Sequence, residues 1–127
     1  MIIKSCYIES FGILEKRSFV FNEGLNIIED DNGKGKTTLS VFIKAMFYGM
    51  EYSKKRKELT EREKYLPWQG GNYGGRLVFA ISGKEYEITR YFGKKKDEDF
   101  FELRDIATGK NSEDYSENIG EEIFGID

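Results

Sequence analysis

Residues 25–39 read Leu25-Asn26-Ile27-Ile28-Glu29-Asp30-Asp31-Asn32-Gly33-Lys34-Gly35-Lys36-Thr37-Thr38-Leu39, and this stretch decides the fold. Leu25 to Glu29 reads as a strand, and the continuous apolar pair Ile27-Ile28 suggests burial on both faces. A polar, glycine-bearing loop follows. From about Lys36 to Tyr48 the apolar residues Leu39, Phe42, Ile43, Met46 and Phe47 recur at i, i+3, i+4, i+7 and i+8. That is the stripe of a helix packed on a sheet. Gly49 stands where a helix C-cap is expected.

Strand, glycine loop and helix in this order frame the phosphate-binding P-loop, G-x-x-x-x-G-K-[ST]. Within Asp30 to Thr37, Gly35, Lys36 and Thr37 match at the required spacing, and Asp30 replaces the opening glycine. The residue types suit the chemistry. Gly33 and Gly35 allow a tight turn that aims N–H groups at phosphate oxygens. The helix start adds further donors and the positive end of its dipole. Lys36 would reach the β- and γ-phosphates, Thr37 would ligate Mg²⁺, and Thr38 would lie near the α-phosphate. Asn32 to Thr38 is therefore the expected nucleotide site, for ATP with Mg²⁺. A carboxylate at Asp30 facing a triphosphate would repel it, so its side chain is expected to point away.

Bulk composition narrows the alternatives. The chain has 127 residues, 39% hydrophobic and 15% aromatic, which suits one compact domain with its own core. The net charge of −3 gives no strongly basic footprint for nucleic acid. Cys6 is the only cysteine and histidine is absent. This excludes an intrachain disulfide, Cys/His zinc sites and Ser-His-Asp triads. No apolar run has membrane-spanning length and no signal peptide is evident, so no membrane partner and a cytoplasmic location are expected.

Around the motif, Ile2 to Ser10 reads as a first strand, with Cys6 and Ile8 on one face and Lys4 and Ser10 in phase with them, while Ile3 and Tyr7 point the other way. Cys6 is read as a small buried hydrophobe. Phe11-Gly12 marks a turn, Ser18 to Phe21 a second strand, and Asn22-Glu23-Gly24 another turn. Glu51 to Lys64 is charged and lacks an apolar face; Tyr65 to Gly75 looks like an ordered loop anchored by aromatics. Leu77, Phe79 and Ile81 alternate as a strand, Ser82-Gly83 suits a hairpin turn, and Tyr86, Ile88 and Phe92 mark one face of the returning strand. Phe100 to Arg104 extends the meander, with a turn over Asp105 to Lys110. Asn118 to Phe124 reads as a short helix, with Asn118 and Glu121 at capping-box spacing and Gly125 beyond its end.

The run from Asn22-Glu23-Gly24-Leu25-Asn26-Ile27-Ile28 through Asn32-Gly33-Lys34-Gly35-Lys36-Thr37-Thr38-Leu39 to Tyr48-Gly49 resembles the opening of SMC-like bacterial ATPases, the group that includes SbcC-type and RecF-type proteins. Ile8 to Gly12, Tyr65-Leu66-Pro67-Trp68, Tyr73-Gly74-Gly75 and Tyr86-Glu87-Ile88-Thr89-Arg90 resemble it more weakly. The resemblance implies the N-terminal lobe of an ABC-type head. A C-terminal lobe of the same head would supply the signature motif, the Walker B acids and a switch histidine. DNA repair or chromosome maintenance is the usual setting, and DNA would be engaged only through the full assembly. Hydrolysis would need the second lobe, so no catalytic residue is assigned within this chain, and self-association through an exposed face or strand edge is expected.

The fold expected from all this is α/β. It is a P-loop NTPase half-domain spanning 1–127, with the P-loop strand and helix beside a mostly antiparallel β-meander and a loop-rich insertion at about 51–75. Two lookalikes are set aside. Ile81 to Glu85 resembles a signature motif but sits in a hairpin turn, and Ile27 to Asp30 resembles an acidic-pair strand but runs straight into the P-loop. Lys54 to Lys57 and Lys94 to Lys96 are read as solvated loops rather than nucleic-acid contacts. Trp68 and Tyr73 are read as loop-to-core anchors rather than base-stacking platforms. The rival readings are a non-catalytic interaction module that keeps the fold without nucleotide, motivated by Asp30, and a small stand-alone kinase or NTPase, for which no catalytic carboxylate or acceptor pocket is found.

Overall fold

The computed structural model describes residues 1–21, 33–50, 64–67, 72–93 and 98–125. The elements are β1 (Ile2–Phe11), β2 (Leu14–Val20), α1 (Gly33–Tyr48), β3 (Gly74–Ile81), β4 (Lys84–Tyr91), β5 (Phe100–Asp105), β6 (Lys110–Asn111) and α2 (Ile119–Phe124). The strands form one sheet in the order β2-β1-β3-β4-β5-β6, and every pairing in it is antiparallel. The meander read from the sequence is therefore present. The expected strand Leu25 to Glu29, the turn before it, the charged segment 51–63 and Trp68 lie outside the described residues. No helix among the described residues is long and apolar enough to cross a membrane.

One face of the sheet is the core. The register aligns Phe19, Cys6, Leu77, Ile88 and Leu103 across five strands, and four of these five are buried, with Phe19 packed partly buried against them. The expected stripe of α1 seats here. Leu39, Phe42, Ile43, Met46 and Phe47 are all buried. Phe42 meets Phe11 edge-on at 5.4 Å, and Phe47 meets Phe79 at 5.4 Å. The opposite face is polar and aromatic: Arg76 lies over the Tyr7 ring at 5.0 Å, and Arg104 pairs with Glu87 at 2.6 Å.

Four local readings need correction. The second strand begins at Leu14 rather than at Ser18 and ends at Val20. In β1 the register against β3 shifts between Ile3 and Ser5 and again between Ile8 and Ser10. A bulge residue adds one step to the two-residue period, so Ile3 joins Cys6 and Ile8 in the core while Lys4 is exposed. Helix α1 starts at Gly33 rather than near Lys36, so the last residues of the P-loop motif are helical. Finally, Asn118 makes no side-chain capping bond at α2. The Ser116 N–H instead donates to Glu122 Oε1 (2.7 Å), and the Asn118 N–H donates to Ser116 Oγ (3.1 Å). The start of α2 is thus held by a tight polar turn rather than a capping box.

The expected turns are in place. Ser82 and Gly83 both take positive φ, 51° and 79°, as a two-residue hairpin loop that matches the strand twist requires. Gly49 ends α1 at φ 75°, its N–H on the Ala45 carbonyl at 2.8 Å, and Gly125 ends α2 at φ 69°.

Candidate phosphate-binding site

The motif residues Gly33 to Lys36 form the first turn of α1 by their backbone, and Thr37 and Thr38 follow. A helix's first turn has N–H groups without intrahelical acceptors, and the macrodipole places partial positive charge there. Helix α1 carries no acidic residue in that turn to offset it. Thr37 is exposed, whereas Thr38 is buried. Asp30, Asp31 and Asn32 lie outside the described residues, so the structure gives the backbone of Gly33 to Thr38 of the expected site but not Asn32, nor Asp30 and Asp31 before it.

The helix start is fixed by its neighbours. The β1–β2 turn lies against it: a Cβ at Gly12 would fall 3.2 Å from Thr38 Cγ2 and 3.1 Å from Tyr65 Cδ1. The Gly12 N–H donates to the Tyr65 carbonyl at 2.7 Å, and the Tyr65 ring stacks on Phe11 at 5.4 Å. Tyr73, also against Phe11 at 5.4 Å, donates its hydroxyl to Met50 Sδ at 3.2 Å just past the other end of α1. Tyr65 and Tyr73 are thus anchors of the loop to the core, as their sequence context suggested. Gly75 allows the closest approach: a Cβ there would lie 2.1 Å from the Tyr7 carbonyl and 3.1 Å from Phe42 Cζ.

The donor set fits Mg²⁺ carried in with phosphate. Mg²⁺ takes hard oxygen ligands and keeps several from phosphate and water, and Thr37, an exposed residue near the helix start, carries a hydroxyl of that class. Among the described residues no group of three or more His, Cys, Asp or Glu could hold a metal. Cys6 is buried, and burial pushes its thiol up to about 12. It is a core residue without nucleophilic character at neutral pH.

Arg90 follows Tyr86 and Ile88 at every second position of β4, a spacing that gives its face but not its contact. The structure supplies it. Arg90 is buried on the core face, its guanidinium 4.6 Å from the Phe101 ring centroid. Its Nη2 donates to the Glu117 carbonyl at 2.6 Å, in the turn before α2. It also borders the far end of α1, where a Cβ at Gly49 would meet Nη1 at 2.6 Å.

The sequence pattern of a family described as an AAA domain matches residues 5–127. Two relatives carry the name DNA double-strand break repair Rad50 ATPase. The one from Nanoarchaeum equitans is 27% identical over 133 residues, covering 100% of this chain and 16% of the relative. The one from Archaeoglobus fulgidus is 28% identical over 112 residues, covering 88% of this chain and 12% of the relative. The chain thus spans less than a fifth of the length of either relative. These similarities agree with the resemblance to the N-terminal part of an SMC-like ATPase head.

Proposed function

Because the chain belongs to the AAA-domain family, we propose that it binds ATP with Mg²⁺ as the N-terminal lobe of an SMC-like P-loop ATPase head. One observation carries the reading: the Gly35-Lys36-Thr37 of the motif lies at the start of a 16-residue helix whose apolar stripe is buried against the sheet. The first-turn N–H groups and Lys36 would hold the phosphates, Thr37 would ligate Mg²⁺, and Thr38 would stand beside them. Bound nucleotide supplies the transferable phosphoryl group; this chain's residues position and neutralise it. Orienting water and stabilising the transition state fall to a C-terminal lobe of the same head. Calorimetry with Mg-ATP tests binding, with Lys36→Ala as control. Equal affinities in the two proteins would sink the proposal.

The setting in this reading is DNA repair or chromosome maintenance in the cytoplasm. The relatives' printed name supports the DNA-repair part. DNA would be engaged through the full assembly, since the net charge is −3; tight, steeply salt-dependent binding by this chain alone would contradict that. Self-association belongs to the same reading. Among the described residues β2 pairs only with β1, and its last residue, Val20, is 73% exposed. Sedimentation that shows a monomer at high concentration would remove it. The second reading, an interaction module without nucleotide, rests on Asp30. If Asp30→Gly raises affinity by orders of magnitude, the loop is a damaged site; a change within about tenfold supports a carboxylate that faces away.

A further inference from the structure

Helix α1 carries the phosphate-binding motif at its start and has no basic residue in its own last turn. Its negative end therefore lacks a cation from the helix itself. Arg90, from β4, stands there instead. Its Nη1 borders Gly49, its Nη2 holds the Glu117 carbonyl at 2.6 Å, and its Cζ lies over the Phe101 ring. Helix α2 follows Glu117 directly and packs on the same end of α1. A Cβ at Gly120 would lie 2.8 Å from the Tyr48 ring and 2.9 Å from the Phe47 carbonyl, and Phe124 contacts both Phe47 and Tyr48.

Packing alone is a poor reason for this cation. Arg90 is only 6% exposed, and among the described residues its Nε has no hydrogen-bond partner. Apolar residues of similar volume often serve stability equally well at such sites. Burial lowers its guanidinium to about 10, with Glu117 and Asp99 opposing the shift, so it stays charged at neutral pH.

We propose that Arg90 is a positioning residue that couples the seating of α2 to phosphate binding at the opposite end of α1. The proposal rests on the P-loop reading above. Helix α1 is the connecting rod, about 24 Å long at 1.5 Å per residue. A phosphate drawn onto its first turn pulls on the whole packed helix. The guanidinium fork passes that displacement to Glu117 and on to α2, because one planar group borders Gly49, which ends α1, and holds Glu117, in the turn before α2. Coupling is reciprocal, so a firmly seated α2 tightens the phosphate site.

The experiment measures amide exchange over residues 117–125 with and without Mg²⁺ and AMP-PNP, together with AMP-PNP affinity. It compares wild type, Arg90→Lys, which keeps the charge but loses the fork, and Leu103→Ala, a core change that lowers stability without altering the fork. The expected result is slower exchange over 117–125 on binding in wild type and in Leu103→Ala. Arg90→Lys binds at least about fivefold more weakly and shows no such slowing. Binding with unchanged exchange in wild type, or equal affinity in Arg90→Lys, overturns the coupling and leaves the P-loop reading standing. A Leu103→Ala protein that loses affinity as Arg90→Lys does reduces Arg90 to general stability and overturns it too. If wild type binds no AMP-PNP, the P-loop reading fails and the coupling fails with it.

Discussion

Replacing Gly49 by Ala should cost far more than the same change at Gly109. Gly49 and Gly109 share nearly the same backbone, φ 75° and 70°. Each pays roughly 1 kcal/mol when a side chain is forced into that region. At Gly109 an added Cβ meets nothing within 4 Å, while at Gly49 it falls 2.6 Å from Arg90 Nη1. The guanidinium must then move, and two interactions are at risk. One is the charge-assisted bond to the Glu117 carbonyl at 2.6 Å, worth about 1.5–3 kcal/mol. The other is the contact over Phe101 at 4.6 Å, worth about 0.5–2 kcal/mol. Partial loss of both puts Gly49→Ala at about 3–4 kcal/mol, against about 1 for Gly109→Ala.

Urea denaturation of the two variants measures the difference directly, through the shift in midpoint at constant slope. An Arg90→Met background sharpens the test. With the guanidinium gone, Gly49→Ala should cost only its backbone strain, so the double-mutant cycle should return a coupling of about 2 kcal/mol. Equal losses at Gly49 and Gly109, or a cycle that closes to zero, would show that Arg90 does not brace the end of α1.

Other perturbations probe neighbouring parts. Gly120→Ala should lower stability by about 1–3 kcal/mol through overpacking, because the Phe47 carbonyl at 2.9 Å is backbone and cannot rotate aside; the urea midpoint reads it. Cys6 should resist a disulfide reagent at pH 8 in the native state and react once urea unfolds the chain. Its folded value near 12 lies above the ordinary 9.0, so its contribution is fully present below pH 9. That contribution falls by about 1.4 kcal/mol per pH unit as pH rises from 9.0 towards the folded value, and is lost once pH passes it; Cys6→Ala should flatten the limb. Tyr86 donates its hydroxyl to Asp114 Oδ2 at 2.5 Å, which, with Lys84 beside it, holds that carboxyl below its ordinary 3.8. Tyr86→Phe should raise the Asp114 value in an NMR titration, and an unmoved titration would mean the bond is not formed in solution.

The legible parts of this fold are those where one residue type answers one local demand. Ser82-Gly83 demanded positive φ, Gly49 and Gly125 stopped helices, and five apolar residues spaced on one helix face had to be buried somewhere. The sheet was harder where the demand was not local. The first strand alternates imperfectly because β1 is bulged twice against β3, and only the partner strand shows which residue is the extra one. β2 begins at Leu14 rather than near Ser18, since Glu15 to Ser18 are exposed at a sheet edge and so carry no apolar alternation to read. Asn118 and Glu121 have capping-box spacing, yet the preceding turn satisfies the helix start through Ser116 and Glu122, which spacing alone does not distinguish.

Arg90 shows the same limit at the candidate site. Alternation put it on the core side of β4, but phase gives a direction and not a depth. An arginine at the rim of a sheet extends its head to water. Here the turn before α2, 27 residues later, closes over it, and Phe101 of the next strand forms its floor. Each of those groups is unremarkable in the sequence. What makes them a site is that Gly49 and Gly120 omit side chains where Arg90 and Tyr48 must fit, so glycines far apart in sequence serve one contact. The P-loop pattern is legible for the opposite reason: a phosphate site of that kind asks for consecutive residues, so the whole requirement is written in one short stretch. The binding proposed for one end of α1 is therefore read from residues 30–38 of the sequence, while the contacts of Arg90 at the other end are readable only once strand, turn and helix have been brought together.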